Sequence, residues 1–426
     1  MTLNNMTTST KWPDTVELTI DSMAQGGEGV GRWEGRVVFA GGGLPGEQVR
    51  VALTERHESY ARGEVKKVLK PAPERIEPRV PGADQMPWQH ITYRAQLRFK
   101  RQILAEQLSK IAGLNELPVD ETVPAAQPWN YRSSARLHIE GGVLGYHIAG
   151  TREVRPFTDD PLLLPVVNRA LKELRDVLNV RSRASEVLIR ASEAHGYVVA
   201  ELRGGGDLRP LVKRWRNAFP PLAGVVLPDG EALGSARLHE EMGGVVFSLQ
   251  PGSFFQVNVA AAEALLALVR EGLELRGGER LLDLYCGVGA FTLPLAAGGA
   301  SEVFGVEEFP GAVADAEESA RANEIANVQF LEGRVEQMLA RLSGPFDAAV
   351  LDPPRRGCHP RAVEELLRLR PARIVYVSCQ PATLSRDLKM LADGGYTPLR
   401  ARPVDLFPQT AHIESVITLV RAEQEA

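Results

Sequence analysis

Cysteine is scarce in this chain: Cys286, Cys358 and Cys379 are the only three among 426 residues. A sparse, odd set builds no disulfide framework, and no pair has the spacing of a metal site, so no metal is expected. Long apolar runs are also missing. None reaches the ~20 residues that a membrane-spanning helix needs, so no membrane partner is expected. The first residues, MTLNNMTTSTKWPDTVEL, lack the apolar centre of a secretory signal. They are expected to be a frayed leader over 1–14 of a cytoplasmic protein. There is no excess of positive charge either: the net charge is −5. Taken alone this argues weakly against a nucleic-acid partner, which needs local positive charge. The charges are unevenly spread, however. Acids crowd Glu302 to Glu336, and bases collect at Arg94–Arg101, Arg203–Arg216 and Arg355–Arg373. That asymmetry permits an RNA-facing side on an acidic protein.

The length points to two or three domains. Over 15–75, VELTI, RVVFAGG, EQVRVAL and ARGEVKKVL alternate apolar and polar residues between glycine turns. This predicts a small β-barrel. A proline-rich linker over 71–92 and a helix over 93–113 follow. The rest of a central domain ending near 250 mixes strand patterns (ARLHIE, LGYHI, EVLIRA, YVVAEL) with a helical LPVVNRALKELRDVL, which is α+β. From 251 to 426 strand and helix patterns alternate, predicting a doubly wound, Rossmann-like parallel sheet with ligands at the carboxyl ends of its strands.

Those ends carry the unusual residues. Asp283-Leu-Tyr285-Cys-Gly287-Val-Gly289 closes the first strand of this sheet. A dinucleotide site is the natural competitor, but Ala290-Phe291-Thr292 follows and the third glycine of that pattern is missing. Asp283 suits an ammonium and suits a pyrophosphate badly. The glycines admit close backbone approach. Glu307, ending the next strand, is placed to accept hydrogen bonds from ribose hydroxyls. Together the two strands make an S-adenosylmethionine half-site.

Asp352-Pro353-Pro354 follows the strand FDAAVL. Enzymes that methylate exocyclic amines have an aromatic after a similar D/N-P-P; Arg355 stands here, which disfavours an amine target. IVYV then delivers Ser378-Cys379-Gln380 to the sheet edge, and Glu414 lies in a later apolar segment, TAHIES. A thiolate that adds to carbon 6 of uracil turns carbon 5 into a nucleophile. A base must afterwards remove the carbon 5 proton. Cys379 and Glu414 are the candidates for those roles. A buried structural cysteine and a salt-bridged glutamate are the plain alternatives.

FFQVN (Phe254 to Asn258), DLYCGVGAFTLPLA, LDPPRRG, IVYVSCQPATLSRD and DLFPQTAHIES resemble, in order and spacing, the bacterial RNA 5-methyluridine methyltransferase family. LTIDSMAQGGEGVGR…YARGEVKKV is similar to the TRAM domain, a β-barrel RNA-binding module, and YRSSARLHI to the family's central RNA-contacting domain. The resemblance implies Cys379 as nucleophile and Glu414 as general base. It implies Gln256, Asp283, Tyr285, Gly287, Gly289, Glu307 and Asp352 around S-adenosyl-L-methionine, with Arg132 and Phe254 toward RNA. Cys286 and Cys358 match no catalytic position. Two departures stand out. The family usually has Asn after the nucleophile, where this chain has Gln380. Many TRAM-bearing members hold an iron–sulfur cluster on four cysteines; Ala83, Met86 and Asp160 stand where three would fall, so no cluster is expected. Packing by Met86 and Trp88 is expected to hold that loop. The implied substrate is RNA, ribosomal in preference to transfer RNA, acted on by a monomer. The competing readings are methylation of transfer RNA uridine 54, a cytosine carbon-5 methyltransferase, and a non-catalytic RNA-binding or folding factor.

Overall fold

The structure, a computed structural model, describes residues 11–148 and 150–422; most of the expected leader lies outside them. The chain divides into two compact units, Met1–Ile103 with Gln409–Ala411, and Leu104–Pro408 with His412–Ala426. No helix of the described residues is long and apolar enough to cross a membrane.

The first unit contains five strands, β1 (Thr15–Met23), β2 (Gly29–Trp33), β3 (Arg36–Gly41), β4 (Gln48–Arg56) and β5 (Tyr60–Lys70), closed in the order β1-β2-β3-β5-β4. Period-two alternation turns Val16, Leu18 and Ile20 inward to meet Val38, Ala40, Val49 and Val51. Closure brings backbones so near that only glycine fits at two places. A Cβ on Gly31 would lie 2.2 Å from the Thr19 carbonyl oxygen, and one on Gly63 2.2 Å from that of Ala52. Beside the barrel, the fully buried Glu47 accepts from the amides of Leu44 (2.9 Å) and Ala72 (3.2 Å) and from Nε and Nη2 of the Arg75 guanidinium (2.5 and 2.7 Å). The proline-rich stretch is packed, with Met86 and Trp88 buried. The Trp88 amide donates to the Gln409 carbonyl (3.0 Å). The Gln96 and Gln409 amides also bond: Gln96 donates to the Gln409 side-chain oxygen (2.9 Å) and accepts from the Gln409 backbone N–H (2.9 Å). Gln96 sits on α1 (Tyr93–Ala112), whose later residues Leu104 and Leu108 belong to the second unit.

In the second unit, β6 (Ser134–Glu140), β7 (Val143–His147), β8 (Val154–Pro156), α2 (Pro165–Val177), β9 (Ala184–Ala191), β10 (Val198–Gly204), α3 (Arg209–Ala218), β11 (Leu222–Val226) and β12 (Ala232–Gly234) form the α+β part. Its sheet runs β12-β11-β10-β9-β6-β7-β8. Leu171, Leu174 and Trp215 of the helices pack on Leu137, Val187 and Ile189. A hairpin that the sequence reading did not anticipate, β13 (Leu238–Met242) and β14 (Val245–Leu249), leads on to the last part.

There α4 (Val259–Leu273), β15 (Arg280–Leu284), α5 (Thr292–Ala297), β16 (Glu302–Glu307), α6 (Pro310–Ala322), β17 (Val328–Glu332), α7 (Val335–Leu339), β18 (Ala348–Leu351), α8 (Pro360–Leu369), β19 (Arg373–Ser378), α9 (Pro381–Asp393), β20 (Tyr396–Val404) and β21 (Glu414–Arg421) build a sheet in the order β17-β16-β15-β18-β19-β21-β20. Both faces are apolar: Leu281, Val303, Val350 and Val375 face one core, Leu282, Phe304, Ala349 and Ile374 the other. The expected parallel sheet holds from β17 to β19. β21 departs from it. The α9 crossover carries β20 one strand beyond β19, and the short, helix-free return over 405–413 sends β21 back antiparallel into the gap.

Candidate active site

The expected residues gather where the strands of the mixed sheet end. Asp283 is fully buried at the end of β15. One carboxyl oxygen accepts from the Thr292 hydroxyl (2.6 Å), while the other, Oδ1, has no partner. Burial pushes this carboxyl up to about 7, against the opposing pull of Thr292. The following turn puts Tyr285, Gly287 and Gly289 in the left-handed region (φ +65°, +56° and +82°). For tyrosine that conformation is a strain, of a kind concentrated at functional sites. Glu307, ending β16, accepts from the amides of Gly287 (2.9 Å) and Phe309 (2.9 Å). It therefore shapes the glycine turn itself, a use the sequence reading missed. Each oxygen keeps a second lone pair for a ligand hydroxyl. An orphaned, buried carboxyl oxygen beside a second acid is a seat that a cationic amino-acid group completes, so the residues present fit S-adenosylmethionine.

Asp352 follows β18, its amide bonded to the Leu284 carbonyl (3.2 Å). Burial and the neighbouring Asp283 hold its carboxyl well above the ordinary range. Cys379 directly follows β19, and Glu414 opens the neighbouring strand β21. Ser378 pairs with Ser415 across β19 and β21. Cys379 and Glu414 are the residues immediately beyond that last pair, at the same end of the two strands. The Ser415 hydroxyl donates to the Ser378 carbonyl (3.2 Å), tying the strands at that step. Burial raises the Cys379 thiol to about 11, with Glu414 and then Asp352 adding to it and Arg355 opposing them. Burial, then Asp352, raises Glu414 far above a usual carboxylate; Arg355 again opposes. Arg355 is thus the cation acting on both groups, and the sequence reading had given it no such part. Its signal was the arginine directly after Asp352-Pro353-Pro354.

The loop carrying the other expected residues is anchored from several sides. Asn258 is buried, caps α4 by accepting from the Ala261 amide (3.2 Å), and donates to the Leu406 carbonyl (3.0 Å). The Tyr131 hydroxyl donates to the Pro408 carbonyl (3.0 Å), and the Ser133 amide to that of Val257 (2.8 Å). FFQVN, YRSS and DLFP are therefore stitched together. Within them Gln256 is half-buried, and Phe254 is 71% exposed although Phe255 beside it is buried against Phe247. Arg132 is partly buried, and its Nε has no partner. Gln380 lends its amide to the Ser378 hydroxyl (3.1 Å) and caps α9 without a side-chain bond. Cys286 and Cys358 are buried. Asp160 is buried, its carboxylate accepting from the Tyr146 hydroxyl (3.0 Å) and the Leu162 amide (2.9 Å).

Known proteins place this geometry. Residues 241–422 match the tRNA (uracil-5-)-methyltransferase family model, and residues 14–66 match the TRAM domain. An uncharacterized RNA methyltransferase of Synechocystis sp. is 35% identical over 98% of each chain. Another from Geobacter sulfurreducens is 34% identical over 97% of this chain and 91% of its own. The chain belongs to the TRAM-bearing RNA 5-methyluridine methyltransferases. Among solved structures it is similar to the tRNA (uracil-54, C5)-methyltransferase of Pyrococcus abyssi in complex with S-adenosyl-L-homocysteine. That likeness has a TM-score of 0.76 and 26% identity, and covers 95% of this chain and 100% of the other. This 5-methyluridine methyltransferase thus joins a TRAM barrel to an S-adenosylmethionine-dependent catalytic fold, and its substrate is RNA.

Proposed function

We propose that the enzyme methylates carbon 5 of a uridine through a covalent bond between Cys379 and carbon 6, with Glu414 as the base that releases the product. The observation supporting this reading is the pairing of Ser378 with Ser415, which brings the adjoining residues Cys379 and Glu414 to the same end of two neighbouring strands. Asp283 and Asp352 would hold the amino-acid end of S-adenosylmethionine, Glu307 its ribose, and the Gln256 and Tyr285–Gly289 segments the rest; when bound it would supply an electrophilic methyl group. The chain does the rest. The target base is flipped out of its RNA, at a cost of a few kcal/mol recovered from phosphate and pocket contacts. Cys379 adds to carbon 6 as the thiolate, the form that Arg355 favours; the ring electrons collect on carbon 5 and the carbonyl oxygen, and carbon 5 becomes methylated. Glu414 then takes the carbon 5 proton, the double bond re-forms, and the sulfur leaves. A carboxyl held above its usual range is suited to such proton transfer near neutrality.

Cytosine enzymes often release product with a second cysteine. Here Glu414 lies at the same end of the strand pair as Cys379, and Cys286 and Cys358 are buried, which favours uridine. Large-subunit ribosomal RNA is the proposed substrate and a monomer the proposed acting form. Transfer RNA is the second reading, favoured by the likeness to the Pyrococcus enzyme over nearly the whole chain. Cys379→Ala is expected to abolish methylation and keep RNA binding, and a Cys379→Ala protein that still methylates rejects the scheme. Glu414→Gln is expected to accumulate an RNA adduct that survives denaturing electrophoresis; normal turnover would remove Glu414 from its role. Mapping 5-methyluridine in ribosomal and transfer RNA of a deletion strain decides the substrate.

A further inference from the structure

The loop that carries Arg355 is gripped from one side by the helix that follows the nucleophile. Arg355 and Arg356 are exposed, and such a loop ordinarily leaves its backbone to water. Here side chains of α9 take four of its backbone groups. The Thr383 hydroxyl bonds to the carbonyls of Arg355 (3.1 Å) and Gln380 (3.2 Å). It thereby links the loop to the residue directly after Cys379. Arg386 Nη2 donates to the carbonyls of Arg356 (3.0 Å) and Cys358 (3.3 Å). Asp387, fully buried, accepts from the Cys358 amide (2.7 Å) and from the Tyr376 hydroxyl (2.6 Å), while its other oxygen holds Arg386 Nε (2.8 Å). Tyr376 lies in β19, three residues before the nucleophile. Its hydroxyl also meets the Cys358 sulfur (3.5 Å). Gly357 (φ +76°) makes the close passage possible: a Cβ there would lie 2.5 Å from Arg386 Nη2 and 2.6 Å from Asp387 Oδ2.

We infer that Arg386 and Asp387 are positioning residues for the methylation, clamping the Pro353–Cys358 loop so that Arg355 is presented to Cys379 and Glu414. The inference rests on the proposed thiol and carboxylate chemistry. Neither residue touches the reacting atoms. They fix the distance between the cation and the sulfur by joining three segments: the loop, the strand that delivers the thiol, and the helix that starts behind it. Small displacements of a charge at a reacting centre are costly because orientation supplies much of an enzyme's rate.

The test uses the full chain and RNA in which the target carries 5-fluorouridine. Fluorine at carbon 5 blocks proton removal, so the adduct accumulates and can be followed in a single turnover. Arg386→Ala and Asp387→Asn are expected to slow adduct formation by about 10-fold or more. The amplitude, which counts competent molecules, and the affinity for S-adenosylhomocysteine are expected to stay within about 2-fold. In an Arg355→Gln background the same changes are expected to have no further effect on the rate, because a clamp acting through Arg355 is non-additive with its loss. Rates unchanged in both variants, a fall in amplitude alone, or effects that multiply in the Arg355→Gln background would each overturn the inference. If Asp387→Asn fails to fold, Arg386→Ala decides alone, since its side chain is about half exposed (49%). An unaltered enzyme that forms no adduct would instead sink the thiol chemistry, a result distinguishable from failure of the clamp.

Discussion

Asp283 ties cofactor affinity to pH in a way that can be worked out from its surroundings. In the ligand-free protein its carboxyl is raised to about 7 from an ordinary 3.8, because it is wholly buried with one oxygen orphaned. At pH 5 to 6 it therefore holds a proton. If the ammonium of the bound cofactor is its partner, binding must expel that proton, and affinity rises with pH until the free site is already ionised. Letting the bound carboxyl return to its ordinary value makes binding about 50-fold tighter at about pH 7 than at about pH 5, or ~2.3 kcal/mol. The same group affects stability with the opposite sign. The folded chain holds this proton more tightly than the unfolded chain, so the free protein loses stability as pH rises from about 4 to about 7, by at most ~4 kcal/mol from this residue. Isothermal titration with S-adenosylhomocysteine, which keeps the ammonium, measures both the affinity and, through buffers of different ionisation enthalpy, the proton released. Asp283→Asn should weaken binding and flatten its pH dependence. An affinity that is level or falls from about pH 5 to about pH 7, or an unchanged slope in Asp283→Asn, refutes the ammonium seat.

Arg355→Gln should raise the thiol and Glu414 further, since Arg355 opposes the upward push on both. Adduct formation near neutrality should then fall by about 10-fold and recover as pH is raised, which a pH–rate profile of single turnovers would detect. Arg75→Ala should unfold the first unit more readily, by about 3–5 kcal/mol, because it leaves the buried Glu47 charge without its guanidinium. Burial raises Glu47, but Arg75 and the amides of Leu44 and Ala72 outweigh it and the net value is low. Its stabilisation is therefore present above the ordinary carboxylate range and is lost as pH falls through the lowered value, and acid melting curves of the two proteins should converge. Asn258→Ala removes both the cap of α4 and the bond to Leu406, and should cost about 1–3 kcal/mol in thermal unfolding. Unchanged melting would deny Asn258 that double role.

Much of the architecture was legible because period-two and period-3.6 patterns are local. Four of the five barrel strands, α1, α2, α4 and the chemistry-bearing strand ends of the mixed sheet follow from them, while β2 lies in a glycine-rich stretch that reads as turn. What pattern does not encode is pairing. The strand leading to Cys379 and the one opening at Glu414 could be seen, but not the insertion of β21 between β19 and β20, which depends on the span of the α9 crossover and the short return behind it. The β13–β14 hairpin was passed over because its five-residue strands are brief. Site candidates could be named where chemistry dictates residue type, as for a thiol, an acid beside a glycine turn, or an acid late in a strand. Arg355 and the second duty of Glu307 were not, because an exposed arginine and a loop acid have many uses until their neighbours in space are known. The packing of residues 71–92 was obscured by prolines, which mark irregular backbone without saying whether it is buried.

β21 is made after β20 yet lies inside it, and this gives the enzyme an order of assembly. Until that strand arrives, the sheet has an open slot with unpaired edges on β19 and β20, and the thiol waits on one lip of the slot. Filling it completes the hydrogen-bonded ladder and brings in Glu414, the proposed proton acceptor. On the proposed mechanism, a chain that stops short of this strand would carry a sulfur with no means of letting its substrate go.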